Sequence, residues 1–157
     1  MNKDCQHIII PIQKAISDKS TIVTLYVYKL LDAHGMFRHQ TPDVQETISV
    51  PNITIDEFFS GRPIDIIKMD IERNEPFVLE GMKKNFQNSK NLILITEFNP
   101  TFLNQAGINP KDYVKQIKSF GFNIKIMDEH AKVLHSITIF DDFLKGPYSY
   151  ANLFFIK

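Results

Sequence analysis

Apolar residues along this chain gather into short dense runs separated by turn chemistry, and two of the runs stop at carboxylates. Residues 64–69 (IDIIKM) are nearly unbroken apolar sequence, as a buried parallel strand requires, and three acids follow at once: Asp70, Glu72 and Glu75. Residues 92–98 (LILITEF) predict a second such strand, with Glu97 near its end. Between the two, residues 75–88 begin with Pro76 and place Phe77, Val78, Met82 and Phe86 at near-helical spacing, which predicts a helix lying on one sheet face.

The flanks continue the alternation. Residues 8–16 (IIIPIQKAI) are strand-like, with Pro11 marking an edge or an irregularity, and residues 21–28 (TIVTLYVY) form a second strand after the turn residues 17–20, so a hairpin is expected. Residues 29–47 hold no sustained period and are expected to form a long loop before a short strand at 48–53. Thr54 then has the chemistry of an N-cap, with Glu57 three residues on as its capping-box partner and Gly61 as the stop. After the strand 92–98 a loop runs through Asn109. Pro110 starts a helix whose apolar stripe is Tyr113, Val114, Ile117 and Phe120, ended by Gly121. Strands at 122–127, 133–139 and 150–156 complete the chain. The sum is an α/β fold, a mostly parallel sheet closed by an antiparallel terminal strand.

Composition narrows the partners. At 157 residues the whole chain, 1–157, is expected to form a single domain, and 18 basic against 18 acidic residues give no net charge to hold nucleic acid or a membrane surface. The lone Cys5 excludes an intrachain disulfide, and the start is too polar for a signal peptide. No apolar run approaches the ~18 residues of a membrane span. A cytoplasmic protein is expected.

The acids sit where chemistry is expected, because ligand crevices in open α/β sheets lie beyond the carboxyl ends of the strands. A plainer reading stands beside this one: Asp70, Glu72 and Glu75 also suit the dipole of the following helix, and Glu97 suits a solvated strand end. Lys68, inside an apolar strand, is expected to pair with a neighbouring acid. His34 and His39, in the long loop, have the pKa range to take a proton from an acceptor hydroxyl, although loop histidines are more often inert. Asp70, Glu72 and Glu97 are hard oxygen donors that would also suit a divalent ion as a minor variant, with no metal site assigned. His130, His135 and Asp141-Asp142 read as surface.

The run IDIIKMDIERNEPFVLEGM resembles the signature of the FkbM family of S-adenosylmethionine-dependent methyltransferases, through Asp65, Lys68, Asp70, Glu72, Glu75, Val78, Leu79 and Gly81. The flanks IPIQKAISDKS, VPNITIDEFF and LILITEFNP are similar to the family as well. The resemblance implies a Rossmann-like class I methyltransferase fold. It also implies an O-methyltransferase using S-adenosylmethionine on a hydroxyl of a small metabolite, sugar or polyketide. Asp70, Glu72, Glu97 and His34 would then be catalytic, and Ala15, Ile16, Asp18 and Asp70 would bind the cofactor.

Two departures from the family pattern carry weight. Arg73-Asn74 stands where the family has glycine and one further residue, replacing a position that tolerates positive φ with a bulky side chain. The six glycines never approach a G-x-G loop, so the family's glycine-rich cofactor turn and its flanking N-terminal strands are expected to be missing. In a sheet of that order the gap beside residues 64–69 would be about two strand spacings, roughly 10 Å, leaving an open strand edge. The alternative to a truncated enzyme is therefore a catalytically silent remnant serving as a binding or dimerisation module, a homo-oligomer paired through that edge.

Overall fold

The computed structural model describes residues 8–29, 34–38, 44–71, 73–128, 132–136 and 151–157; Glu72, His39, His130 and Asp141-Asp142 lie outside them. The described strands form two sheets.

The smaller sheet has the order β1 (Ala15–Ile16), β3 (Val44–Ile53), β2 (Thr21–Tyr28). Only two residues of the apolar run 8–16 are strand. They pair in parallel with Asn52 and Ile53 of β3, not with β2 as the expected hairpin required. The hairpin is instead β2 with β3, antiparallel from Thr21 opposite Asn52 to Tyr28 opposite Val44. Its second strand takes up residues 44–47, the end of the expected loop. Gln45 to Ser49 are all exposed, so no apolar alternation marks the strand in the sequence.

The larger sheet has the order β4 (Ile66–Met69), β5 (Ile93–Phe98), β8 (Ala151–Ile156), β6 (Asn123–Asp128), β7 (Val133–Ser136). β4 and β5 are parallel, with Ile66 opposite Ile93 and Met69 opposite Thr96. The expectation of a mostly parallel sheet needs correction, since the other three pairings are antiparallel. The reason is topological: β8 comes back through the middle, between β5 and β6, and turns both of their contacts antiparallel. The antiparallel terminal strand is thus central to the sheet.

Helices cover one face. Leu94, Thr96 and Phe98 of β5 and Leu153 and Phe155 of β8 point to this side, where they meet Val78, Leu79, Met82, Phe86, Tyr113 and Ile117 in one buried cluster. Val78, Met82, Phe86, Tyr113 and Ile117 belong to the apolar stripes that the sequence spacing picks out, whereas Phe77, expected among them, is half-buried and lies against Phe37. α5 (Pro110–Ser119) buries Tyr113, Val114 and Ile117 on one side, as a 3.6-residue period dictates. The loop before it contains a further short helix, α4 (Pro100–Gln105), capped by the Asn99 side chain accepting from the Phe102 amide.

The helix expected over 75–88 is two helices, α2 (Glu75–Glu80) and α3 (Lys83–Asn88). The break is a tertiary effect of α1 (Ile55–Phe58). The Asp56 amide donates to the Gly81 carbonyl at 2.9 Å, and the Asp56 carboxylate accepts from the amides of Lys84 and Asn85 at 3.0 and 2.9 Å, capping the first turn of α3. Thr54 caps α1 as its chemistry foretells, accepting from the Glu57 amide at 3.0 Å. The reciprocal half of the capping box is relayed. Glu57 takes the hydroxyl of Ser20, and that hydroxyl accepts from the Thr54 amide.

Candidate functional site

The turn from β4 into α2 holds the site. Asn74 precedes α2, and its side chain donates to the carbonyl of Ile16. Gly81 closes α2 against the same stretch from the other end: a Cβ at Gly81 would stand 2.2 Å from the Ser17 carbonyl oxygen. Any side chain there would collide with backbone. This accounts physically for the Val78-Leu79-x-Gly81 spacing, in which two residues fill the core and the glycine admits a neighbouring chain. Ala15, Ile16 and Asp18 therefore lie along the α2 side of the turn, with Ser17 buried between them and its hydroxyl directed to Asp18 and Asn74.

Beyond the ends of β4 and β5 lies a crevice lined by Arg73, Glu75, Glu97, Asn99, Phe102 and Leu103. Glu75 is buried at the start of α2, and its carboxylate accepts from the Ile71 amide at 3.3 Å. Glu97 comes from β5 and is half-buried. Under them, Thr96 and Tyr113 share a buried hydrogen bond of 3.0 Å. Burial pushes the Tyr113 phenol far above its ordinary range. The Thr96 bond opposes the shift and the charge of Glu75 adds to it.

Arg73 dominates the crevice. It is only 5% exposed, and its guanidinium carbon lies 4.7 Å from the centroid of the Phe102 ring, within cation–π range. Its φ is +75°, a left-handed conformation that costs a non-glycine residue about 1–2 kcal/mol. The backbone thus keeps the geometry of a glycine position while carrying the longest of cationic side chains, and that side chain turns inward. The space left is about 10 Å³, room for one water.

The other candidates fall outside the crevice lining. Asp70 is exposed and pairs with Lys68 at 2.9 Å, so the strand lysine does find a neighbouring acid, in water. His34 is exposed, and its Nδ1 accepts from the Tyr28 amide at 3.1 Å, closing the end of β2. Glu72 lies outside the described residues. Arg73, Phe102 and the Thr96–Tyr113 pair were not singled out as site residues by sequence reasoning. The one available signal was the bulky residue at a glycine position. Among the described residues no three His, Cys, Asp or Glu gather closely enough to hold a metal ion, and no helix is long and apolar enough to cross a membrane.

The model of the methyltransferase FkbM domain matches residues 6–134, well over half of the chain and all of the crevice. The chain belongs to the FkbM methyltransferase family. No curated protein and no solved structure matches it. FkbM methyltransferases generally use S-adenosylmethionine, whose reactive centre is a sulfonium cation. Two carboxylates and an aromatic face are suitable chemistry for a cation, but in this FkbM chain Arg73 already fills that place, and 10 Å³ does not admit a cofactor. With Arg73 in place the crevice does not fit S-adenosylmethionine, and room for it there requires that side chain to leave.

Proposed function

We propose that this chain works in methyl transfer from S-adenosylmethionine to a hydroxyl of a small metabolite, sugar or polyketide, on a Rossmann-like class I methyltransferase sheet. The observation that carries the reading is the convergence of Glu75 and Glu97 in one crevice beyond the carboxyl ends of two parallel strands, inside a segment matched by the FkbM model. In this reading the exposed Asp70, held by Lys68, orients the acceptor at the rim, where its hydroxyl would give up its proton to a carboxylate or to solvent, and Glu97 supports it from the crevice. Glu72 is given the same role on the family signature alone. The stretch Ala15, Ile16 and Asp18, fastened to Asn74, supplies the wall on which the adenine side of the cofactor would rest. His34 serves only as a secondary base, because its Nδ1 is engaged by backbone.

A second reading is favoured by a separate observation. β4 is an edge strand of the larger sheet, and its Ile66 is 62% exposed. Unpaired strand edges bearing apolar side chains invite another strand. A chain acting as an assembly module would pair β4 with β4 of a second copy.

Isothermal titration of the purified chain with S-adenosylmethionine decides between the readings. Saturable heat is expected for methyl transfer. The absence of heat at millimolar cofactor removes that reading, and light scattering that gives a dimer mass lost in Ile66→Lys then establishes the second.

A further inference from the structure

We propose that Arg73 is an intramolecular ligand: its guanidinium occupies a cage for an organic cation, formed by Glu75, Glu97 and the ring of Phe102, and holds the crevice shut until it is displaced. The proposal deepens the reading of this crevice as the site, and it concerns what the crevice accepts and what keeps it closed.

Three independent observations carry it. The first is backbone conformation. Arg73 sits at φ +75°, in a turn whose geometry suits glycine, and a strained residue of this kind persists only where the surrounding contacts hold it. Next comes placement. An arginine on a turn ordinarily extends its head into water, yet this one is 5% exposed, against a ring face 4.7 Å away. The third is the chemistry of the walls. Of the five other residues lining the crevice, two are carboxylates, one is the aromatic Phe102 and one is Asn99. Carboxylates with a ring face constitute a receptor for a delocalised or alkylated cation. Removing the guanidinium would leave Glu75 and Glu97 lining one crevice without that cation, so the emptied space should draw in a cation of similar size. The class of ligand follows: a guanidinium, a methylated ammonium or a sulfonium, and not an anion or a neutral hydroxyl compound. Opening requires the Arg73 side chain to leave the Phe102 ring and exchange its burial for water.

The test uses the full chain and small cations unrelated to any cofactor. Methylguanidinium and trimethylsulfonium, as chloride salts at constant ionic strength, are titrated into wild type, Arg73→Gly and the double variant Arg73→Gly/Glu97→Gln, followed by amide chemical shifts in NMR. Binding at least tenfold tighter in Arg73→Gly than in wild type is expected, with the gain lost in the double variant and tert-butanol giving no saturable shift. Equal affinity in wild type and Arg73→Gly would overturn the proposal, and so would a gain that survives loss of the Glu97 charge. If Arg73→Gly does not fold, the wild type still decides. The Nε proton of Arg73 should exchange with water at least tenfold more slowly than those of Arg38 and Arg62, and exchange at their rate overturns the proposal. Heat with S-adenosylmethionine in wild type, without any cation gain in Arg73→Gly, defeats only this proposal. Cation gain without that heat defeats only the methyl-transfer reading.

Discussion

Asp70 and Glu75 leave the same turn five residues apart and meet opposite fates. Asp70 ends β4 in solvent, its side chain 54% exposed and paired with a lysine that is 58% exposed; Glu75 opens α2 in the interior, beside Arg73 and above Tyr113. The difference teaches where this protein holds its structure. An exposed ion pair is screened and contributes about 0–1 kcal/mol, while a buried charge demands partners with fixed geometry. The 73–81 side of the turn is therefore built on close contacts, and the 65–70 side is an open rim free to meet a ligand or another strand.

The contrast can be broken at several points, beginning with the largest effect. Phe86, fully buried in the cluster and in ring contact with Phe120 and Phe122, should cost about 3–5 kcal/mol when changed to alanine, whereas Ile22→Ala, at a position 74% exposed, should leave the urea midpoint nearly unchanged. Comparable losses at the two sites would mean that the helix-covered face is not the core. Gly81→Ala drives a methyl group into the Ser17 carbonyl, and a loss of about 2–3 kcal/mol is expected in the same measurement. A neutral result there would show that the stretch 15–18 is not fastened to α2.

Alkaline titration sharpens the comparison. The folded state holds Tyr113 protonated above its unfolded pKa, so the unfolded chain binds fewer protons once the pH passes about 10, and stability falls as pH rises from there. Below that pH the contribution is fully present. Tyr113→Phe should flatten the alkaline limb by up to about 1.4 kcal/mol per pH unit relative to wild type, and parallel limbs would refute the buried phenol. The smallest effect belongs to the rim. Asp70→Asn should change stability by less than about 0.5 kcal/mol at moderate salt, while lowering any turnover in a methyl-transfer assay. A large loss of stability there would erase the distinction between rim and interior.

Much of this was legible along the chain, for reasons that differ by element. The spacing of Tyr113, Val114 and Ile117 and of Val78, Met82 and Phe86 reads directly as buried faces, because a helix with one dry side must repeat near 3.6 residues. β5 and its Glu97 were legible because a buried strand is nearly all apolar. β3 was not, since exposed Gln45, Glu46 and Thr47 follow no alternation and their pairing is dictated by β2. The break at Gly81 was equally hidden, because the group that caps α3 is Asp56, nearly thirty residues away. Within the site, the acids and the oddity of Arg73-Asn74 stood out in the sequence. That Asp70 would face water and Glu75 the interior did not.

The amino-acid order alone determined which residues want to be dry, where helices begin and stop, and which segment carries the FkbM signature, since all of these depend on neighbours a few positions apart. Tertiary structure alone decided that β8 would enter the middle of the sheet and that the bulky residue at a glycine position would fold inward to lie against Phe102. These outcomes depend on contacts between residues remote in sequence, and whether a side chain at the mouth of a crevice points in or out is set by the ring and carboxylates that meet it there.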